Sequence, residues 1–350
     1  MSLRSILQTR IAKKKSATSE SKVVKILIIR FSSIGDIVLT SPVIRCIKQQ
    51  LPDVEVHFLV KYSFRSIIES NPYIDKVHLF NENLPQVINE LRKENFSYII
   101  DLHHNVRTLR VKRALKGVKA YSFNKLNIQK WLLTVLKISH MPDIHIVDRY
   151  MKTVEKLGVK NDGKGLEYFI PDKDCVRDHD IPAAQSLGYI GIVIGAAHNT
   201  KKLPVHKLQE LCHGIDHPII LLGGEEDREN GEAIASADPI KIYNSCGKFN
   251  LNESADLVRK AKLIITHDTG LMHIAAAFKK PIISVWGNTV PAFGMTPYYG
   301  NTLQANQIME VKRLSCRPCS KIGYNKCPLG HFKCMEQQDI SQIIRLVENW

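Results

Sequence analysis

The chain is predicted to be an α/β protein of two doubly wound parallel sheets in tandem, facing each other across a cleft. Three observations predict this. Short apolar runs of strand length alternate with helix-period segments along most of the 350 residues. The alternation stops once, in the polar stretch Asn161 to Pro182, and then starts again. Each half also contains a strand that passes through a small-residue loop straight into a helix start.

In the first half the strand candidates are Val24 to Phe31, Val54 to Val60, Lys76 to Phe80, Tyr98 to Leu102 and Ala120 to Phe123. Helix-period segments lie at Leu84 to Glu94 and Leu126 to Leu136, and Val147 to Leu157 reads as the last helix before the polar stretch. In the second half strands are expected at Tyr189 to Gly195, Pro218 to Gly223, Ile240 to Tyr243, Leu263 to His267 and Pro281 to Trp286. Helices are expected at Pro204 to Cys212, Asp227 to Ala237, Ser254 to Ala261, Leu271 to Phe278 and Ile340 to Trp350, the first opened by a proline suited to a first turn. The units are then a basic tail over 1–23, a domain with its linker over 24–180, a second domain over 181–335 and a closing helix over 336–350.

No apolar stretch reaches the 18 or so residues of a membrane span, and the N-terminal segment lacks the apolar core of a signal peptide, so a cytoplasmic location is expected. The formal charge of +15 is lopsided, since residues 1–150 carry 25 basic and 12 acidic side chains. That half should meet something acidic, a phosphate or an anionic membrane, and its densest run is Arg107, Arg110, Lys112, Arg113, Lys116 and Lys119. The bland alternative is a solvated helix face. In the tail, Leu3, Ile6, Leu7 and Ile11 share a helical face that suits weak docking on a bilayer, against the simpler reading of a disordered terminus.

Eight cysteines without a secretion signal argue for reduced thiols or metal. Cys316, Cys319, Cys327 and Cys334 are clustered, and the first pair has zinc-ligand spacing; a structural zinc, buried free thiols and a latent disulfide all remain open. Two Asp-x-Asp triplets, at Asp172 and Asp178, look like metal–nucleotide motifs, but neither closes a strand, so both are read as solvated linker.

The chemistry is expected at the loops. After the first strand, Ser32, Ser33, Gly35 and Asp36 would face a cleft, with Asp36 otherwise an ordinary helix N-cap. In Ile264 to His273, free N–H groups of Thr269, Gly270 and Leu271 would cradle a diphosphate, and Asp268 would cap the helix or hold neighbouring loops. Lys201, in the loop Gly195 to Pro204, can neutralise a phosphate as its bond breaks. Gly223 to Asp227 puts acids, Glu225 among them, where ribose hydroxyls would lie, or else is a surface charge run.

Five segments, Phe31 to Asp36, Asp101 to Arg107, His145 to Tyr150, Gly195 to Pro204 and Asp268 to His273, resemble glycosyltransferase family 9, whose best known members are ADP-heptose:lipopolysaccharide heptosyltransferases. The resemblance implies a GT-B fold with the acceptor on the first domain and the sugar nucleotide on the second. It implies that Asp36 is the general base, that Lys201 contacts the donor phosphates, and that a single inverting displacement proceeds without cofactor or metal. The donor set then comprises Ser33, Gly35, Thr200, Lys201, Glu225, Asp268, Thr269, Gly270, Leu271 and His273. For an anionic glycolipid acceptor, the lipopolysaccharide core, the basic half offers Lys61, Arg65, His104 and Arg107, with peripheral contact to the inner membrane. Lys202-Leu203-Pro204 departs from the Arg-Trp-Pro of many relatives, which leaves room for another donor sugar and another surface glycan. A basic nucleic-acid or membrane module with a structural zinc is the reading from a different class; no recognisable nucleic-acid motif supports it.

Overall fold

Uninterrupted apolar runs become central strands because a parallel sheet covered on both faces has no place for a polar side chain. In the computed structural model, which describes residues 23–303 and 305–350, Ile26 to Ile29 are fully buried in β1 (Val24–Ile29). The expectation for the basic tail lies outside the described residues. The chain continues through α1 (Ile34–Val38), α2 (Ser41–Gln50), β2 (Val54–Lys61), β3 (Lys76–Phe80), α3 (Leu84–Arg92), β4 (Tyr98–Asp101), α4 (Val106–Ala114), β5 (Lys119–Ser122), α5 (Asn127–Trp131) and α6 (Ile146–Met151). The five strands form one parallel sheet in the order β3-β2-β1-β4-β5.

The second sheet takes β6 (Ile190–Val193), α7 (Val205–Gly214), β7 (Ile219–Leu222), α8 (Arg228–Ala235), β8 (Ile242–Asn244), α9 (Leu251–Lys260), β9 (Leu263–His267), α10 (Gly270–Ala277), β10 (Ile282–Trp286) and β11 (Asn306–Glu310). Its order is β11-β10-β9-β6-β7-β8, again all parallel. Each order reverses direction once, between β1 and β4 and between β6 and β9. Loops leaving the carboxyl ends there diverge and open a crevice.

Several expected elements are modified for local reasons. One helix was expected after β1, but Pro42 has no N–H to continue the ladder, so the segment breaks into α1 and α2. The 126–136 helix is α5 followed by a wider π turn over Leu132–Leu136. The helix expected to end at Leu157 is α6 plus a 3-10 turn, stopped by Gly158 in the left-handed region (φ 81°). Strand β11, with the polar sequence NQIME and largely outward-facing side chains, carries no alternation that announces it. Of the basic run, Arg107, Arg110, Lys112 and Arg113 lie on α4, which Asn105 caps by accepting the Thr108 N–H at 3.0 Å, whereas Lys116 follows the helix and Lys119 opens β5.

The polar stretch between the sheets is a strap, not a solvated tether. Fully buried Arg45 grips Asp162 through two 2.7 Å bonds and donates to the Gly165 carbonyl at 3.0 Å, tying it to the first lobe. Tyr168 OH donates to Asn252 at 2.6 Å and the Val176 N–H to Asp256 at 2.9 Å, tying it to the second. Of the two Asp-x-Asp triplets, both in single 3-10 turns, Asp174 is engaged by Asn252 Nδ2 at 2.8 Å. The last helix, α11 (Ile340–Glu348), buries Ile340, Ile343 and Val347 in the core of the second sheet, against α7.

Candidate active site

The carboxyl ends of the two sheets face one crevice of about 830 Å³. On the first lobe, β1 ends in Arg30, which bends back to its own loop: Nε donates to the Ser32 carbonyl at 2.7 Å and Nη1 to the Leu102 carbonyl and to Tyr150 OH. The remaining arm meets the Asp36 carboxylate at 2.6 Å. Ser33, not Asp36, is the cap of α1; Asp36 stands in the first helical turn and accepts the Ser33 hydroxyl at 2.9 Å and, at 3.4 Å, its N–H. Burial by itself would raise the Asp36 carboxyl. The Arg30 charge and the Ser33 bonds outweigh that and hold it below the usual carboxylate range, so it is ionised at neutral pH.

On the second lobe β9 delivers Asp268 to the crevice just ahead of α10. Its carboxylate accepts Lys201 Nζ at 2.6 Å and Thr289 Oγ1 at 2.9 Å, which joins three loops. The cap of α10 is Thr269, whose side chain bonds none of the helix's first N–H groups. A helix start in this state offers its N–H groups, and the positive end of its dipole, to an anion. Lys202 lies alongside, bonded to Asp227 at 2.6 Å, and Asp227 also accepts the Gly224 N–H at 3.1 Å.

Glycines let the two helix starts touch. A Cβ on Gly35 would come within 2.5 Å of His273 Cδ2, and one on Gly270 within 2.6 Å of Ile34 Cγ2. His273, on α10, is thus wedged between the lobes, and burial holds its imidazole at about 4. His267 is buried beneath the loop with its Nε2 accepting the Leu203 N–H at 2.9 Å, and burial, helped by the Lys202 charge, holds its imidazole at about 3.

Of the expected residues, the crevice wall contains Ser33, Gly35, Asp36, Lys201, Asp268, Thr269, Gly270, Leu271 and His273. Thr200 is not in it: the residue is buried, and its hydroxyl is used up between the Tyr324 carbonyl and N–H. Glu225 is not in it either. Glu225 to Asp227 form one 3-10 turn, so successive side chains fan out by about a third of a circle; Glu226 and Asp227 face the crevice while Glu225 pairs with Arg228 outside.

The four acceptor candidates also miss the wall. Arg65 pairs with Glu69 while its neighbour Phe64 points in. Lys61 sits at the end of β2 and Arg107 on the outer face of α4, and His104 turns its Nδ1 to the Phe123 carbonyl at 3.0 Å. Besides Lys201, the cations that line the crevice are Arg30, Lys125, Lys130 and Lys321. Lys130 is buried enough to fall to about 8, and Lys125 is lowered for the same reason. A basic residue closing a buried strand, Arg30, was visible in the sequence as an interruption; the three lysines carried no such mark.

The four clustered cysteines lie near one another, Cys316 hydrogen-bonded to Cys319 and both Cys319 and Cys334 within reach of the Cys316 and Cys327 charges, but among the described residues no three of their sulfurs come within reach of one ion. All eight cysteines are free, and burial with Cys316 beside it pushes the Cys319 thiol up to about 11. Among the described residues, the one His, Cys or acid trio with ligand atoms within reach of a single ion is His57, His78 and Glu94, and Glu94 there holds Lys25 and Lys76.

Two Rossmann-type sheets with their carboxyl ends opposed, an ionised carboxylate on one side and an anion cradle on the other, define a glycosyltransferase of the GT-B fold. Residues 85–326 match the model of glycosyltransferase family 9 (heptosyltransferase), and the chain belongs to that family. It is 28% identical over 308 residues to lipopolysaccharide heptosyltransferase 1 of Campylobacter coli, covering 81% of this chain and 87% of that one. It is 26% identical over 304 residues to lipopolysaccharide heptosyltransferase 3 of Escherichia coli K12, covering 77% and 84%. The fold is shared with a family 9 glycosyltransferase of Veillonella parvula (TM-score 0.72, 21% identity, 94% and 98% covered) and with E. coli heptosyltransferase WaaC with ADP (TM-score 0.65, 18% identity, 93% and 99% covered).

Proposed function

We propose that the protein transfers a heptosyl residue from ADP-heptose to a hydroxyl of an acidic lipopolysaccharide-core acceptor, with inversion at the anomeric carbon. The observation that carries this reading is that Asp36 from the first lobe and Lys201 and Gly270 from the second line one crevice. The names of the heptosyltransferase relatives support the donor and acceptor classes.

In this reading the diphosphate lies on the N–H groups of Thr269, Gly270 and Leu271, with Lys201 beside it, and the acceptor lies on the first lobe among Arg30, Lys125 and Lys130. The acceptor oxygen attacks the anomeric carbon as its proton passes to Asp36. The bond from that carbon to the β-phosphate oxygen breaks, and its electron pair leaves with ADP. Lys201 and the helix start meet the charge that grows on that oxygen, so the chain's own cations do the work of a leaving-group clamp.

Arg30 makes Asp36 a weak base but a permanently charged one. Its proton-transfer contribution belongs at the low end of the usual range of roughly 100 to 10,000-fold, and the same charge steadies an oxocarbenium-like ring. The test is ADP release from ADP-heptose with an acyl-free core acceptor, against a panel of other nucleotide sugars. Release that depends on ADP-heptose and on Asp36 supports the reading; turnover only with another nucleotide sugar replaces the donor, and full activity of Asp36→Ala removes the base.

A further inference from the structure

The structure assigns a membrane-docking face to the segment that forms the acceptor wall: the outer side of residues 126–138 and the adjoining α4 seat on an anionic phospholipid bilayer. The inference rests on the reading that the acceptor is lipid-borne. From residue 102 to 142 the chain has nine Lys and Arg and not one Asp or Glu. Within that stretch Ile128, Trp131, Val135 and Leu136 are 72%, 48%, 56% and 50% exposed. Their spacing of three, four and one places them on one side of α5 and the π turn that continues it. The opposite side carries buried Leu133 and, lining the crevice, Lys130. The segment is therefore amphipathic with its apolar side facing out, which a soluble surface does not need.

Four cations of the same stretch, Arg107, Arg110, Arg113 and Lys116, are exposed on and just after α4. His104, just ahead of α4, is bonded to the carbonyl of Phe123, just after β5, and α4 leaves Val106 and Leu109 exposed next to Arg107 and Arg110. Exposed aromatic and aliphatic groups framed by Lys and Arg match an interface where acyl chains begin below anionic headgroups. Other occupants fit less well. A second copy would bring the exposed Arg107, Arg110, Arg113 and Lys116 against the same four charges, and the N-terminal 22 residues carry six basic side chains and one acidic. A nucleic acid would satisfy the cations and leave Trp131, Val135 and Leu136 against phosphate. Docking here sets the crevice beside the bilayer surface, where a lipid-borne sugar can enter between Lys125 and Lys130 while its acyl chains stay in the membrane.

The experiment is flotation of the full chain with phosphatidylcholine vesicles and with vesicles containing phosphatidylglycerol, alongside Trp131→Ser/Val135→Ser and Arg107→Gln/Arg110→Gln/Arg113→Gln. Binding to the anionic vesicles should exceed binding to the neutral ones at least about tenfold, and each variant should lose at least about that factor. Transfer to an acyl-free acceptor should stay within about twofold in both variants, while transfer to a vesicle-borne acceptor falls with the binding. A blue shift of tryptophan emission on anionic vesicles, absent in Trp131→Phe, checks the face without a polar replacement. Equal binding to both vesicles, binding unchanged in the variants, or displacement by single-stranded RNA at comparable affinity would overturn the proposal. Failure of the wild-type enzyme on the acyl-free acceptor would instead sink the heptosyl-transfer reading and leave the vesicle result standing.

Discussion

The loops after β1 and β9 are built alike and used differently. Both run from a buried strand through small residues into a helix whose first turn contains a glycine packed on the other lobe. In the first, the aspartate stands inside the helix, so Asp36 folds back onto Ser33 and the helix start is answered by the protein's own carboxylate. In the second, the aspartate stands one residue ahead of the cap. Asp268 is turned to Lys201 and Thr289, and no side chain caps the N-terminal N–H groups of α10. A shift of a few positions thus converts one helix start into a carboxylate holder and the other into an anion holder.

Removing the carboxylate from the first loop breaks the pair most severely. Asp36→Ala is expected to lower kcat by about 100-fold or more while the protein still folds, measured as ADP release under saturating donor. On the second loop, Lys201→Ala should weaken ADP binding by about tenfold, and the larger share of its effect should appear in kcat, because the lysine faces charge that grows only as the bond breaks. A calorimetric titration together with turnover separates the two contributions.

A smaller effect comes from pH. Lys130, held at about 8, loses its charge as pH rises from 7 to 9, so KM for an anionic acceptor should climb over that window by several-fold with kcat little changed. Lys130→Arg, whose guanidinium stays charged, should remove the rise. A flat KM for wild type would deny Lys130 its place beside the acceptor.

Acid acts on the whole molecule. His78, His103, His145 and His273 are held at about 4 and His267 at about 3, all by burial, so they stay neutral in the folded protein while an unfolded histidine protonates near 6.5. Between those values the unfolded state binds more protons, and stability falls as pH drops from about 6.5 toward 4, by at most about 1.4 kcal/mol per pH unit for each ring. Melting curves at pH 7.5, 6 and 5 should show a falling Tm. His273→Gln should flatten that fall slightly and also disturb the lobe contact at Gly35.

Most of the fold was legible because a covered parallel sheet leaves a plain trace: apolar runs such as Ile26 to Ile29 and Leu263 to Ile265 have no competing explanation. The loops were legible for a related reason, since Ser33, Gly35, Asp268 and Gly270 stand where strand chemistry gives way to helix chemistry. The acceptor wall was not. Lys125 and Lys130 are ordinary surface residues by sequence, and they turn inward because the apolar side of their segment turns outward, the reverse of the usual rule. Glu225 against Glu226 is decided by the handedness of one 3-10 turn, and Thr200 by a partner 124 residues away. Neither leaves a mark in local composition.

The measurement that bears most directly on the division of labour between the two loops is an equilibrium titration of ADP into wild type, Asp36→Ala and Lys201→Ala, paired with turnover of each. Asp36→Ala should bind ADP within about twofold of wild type while its turnover falls about 100-fold or more, and Lys201→Ala should lose both. An Asp36→Ala protein that keeps its turnover, or that fails to bind ADP although folded, would contradict the assignment of one helix start to the acceptor and the other to the nucleotide.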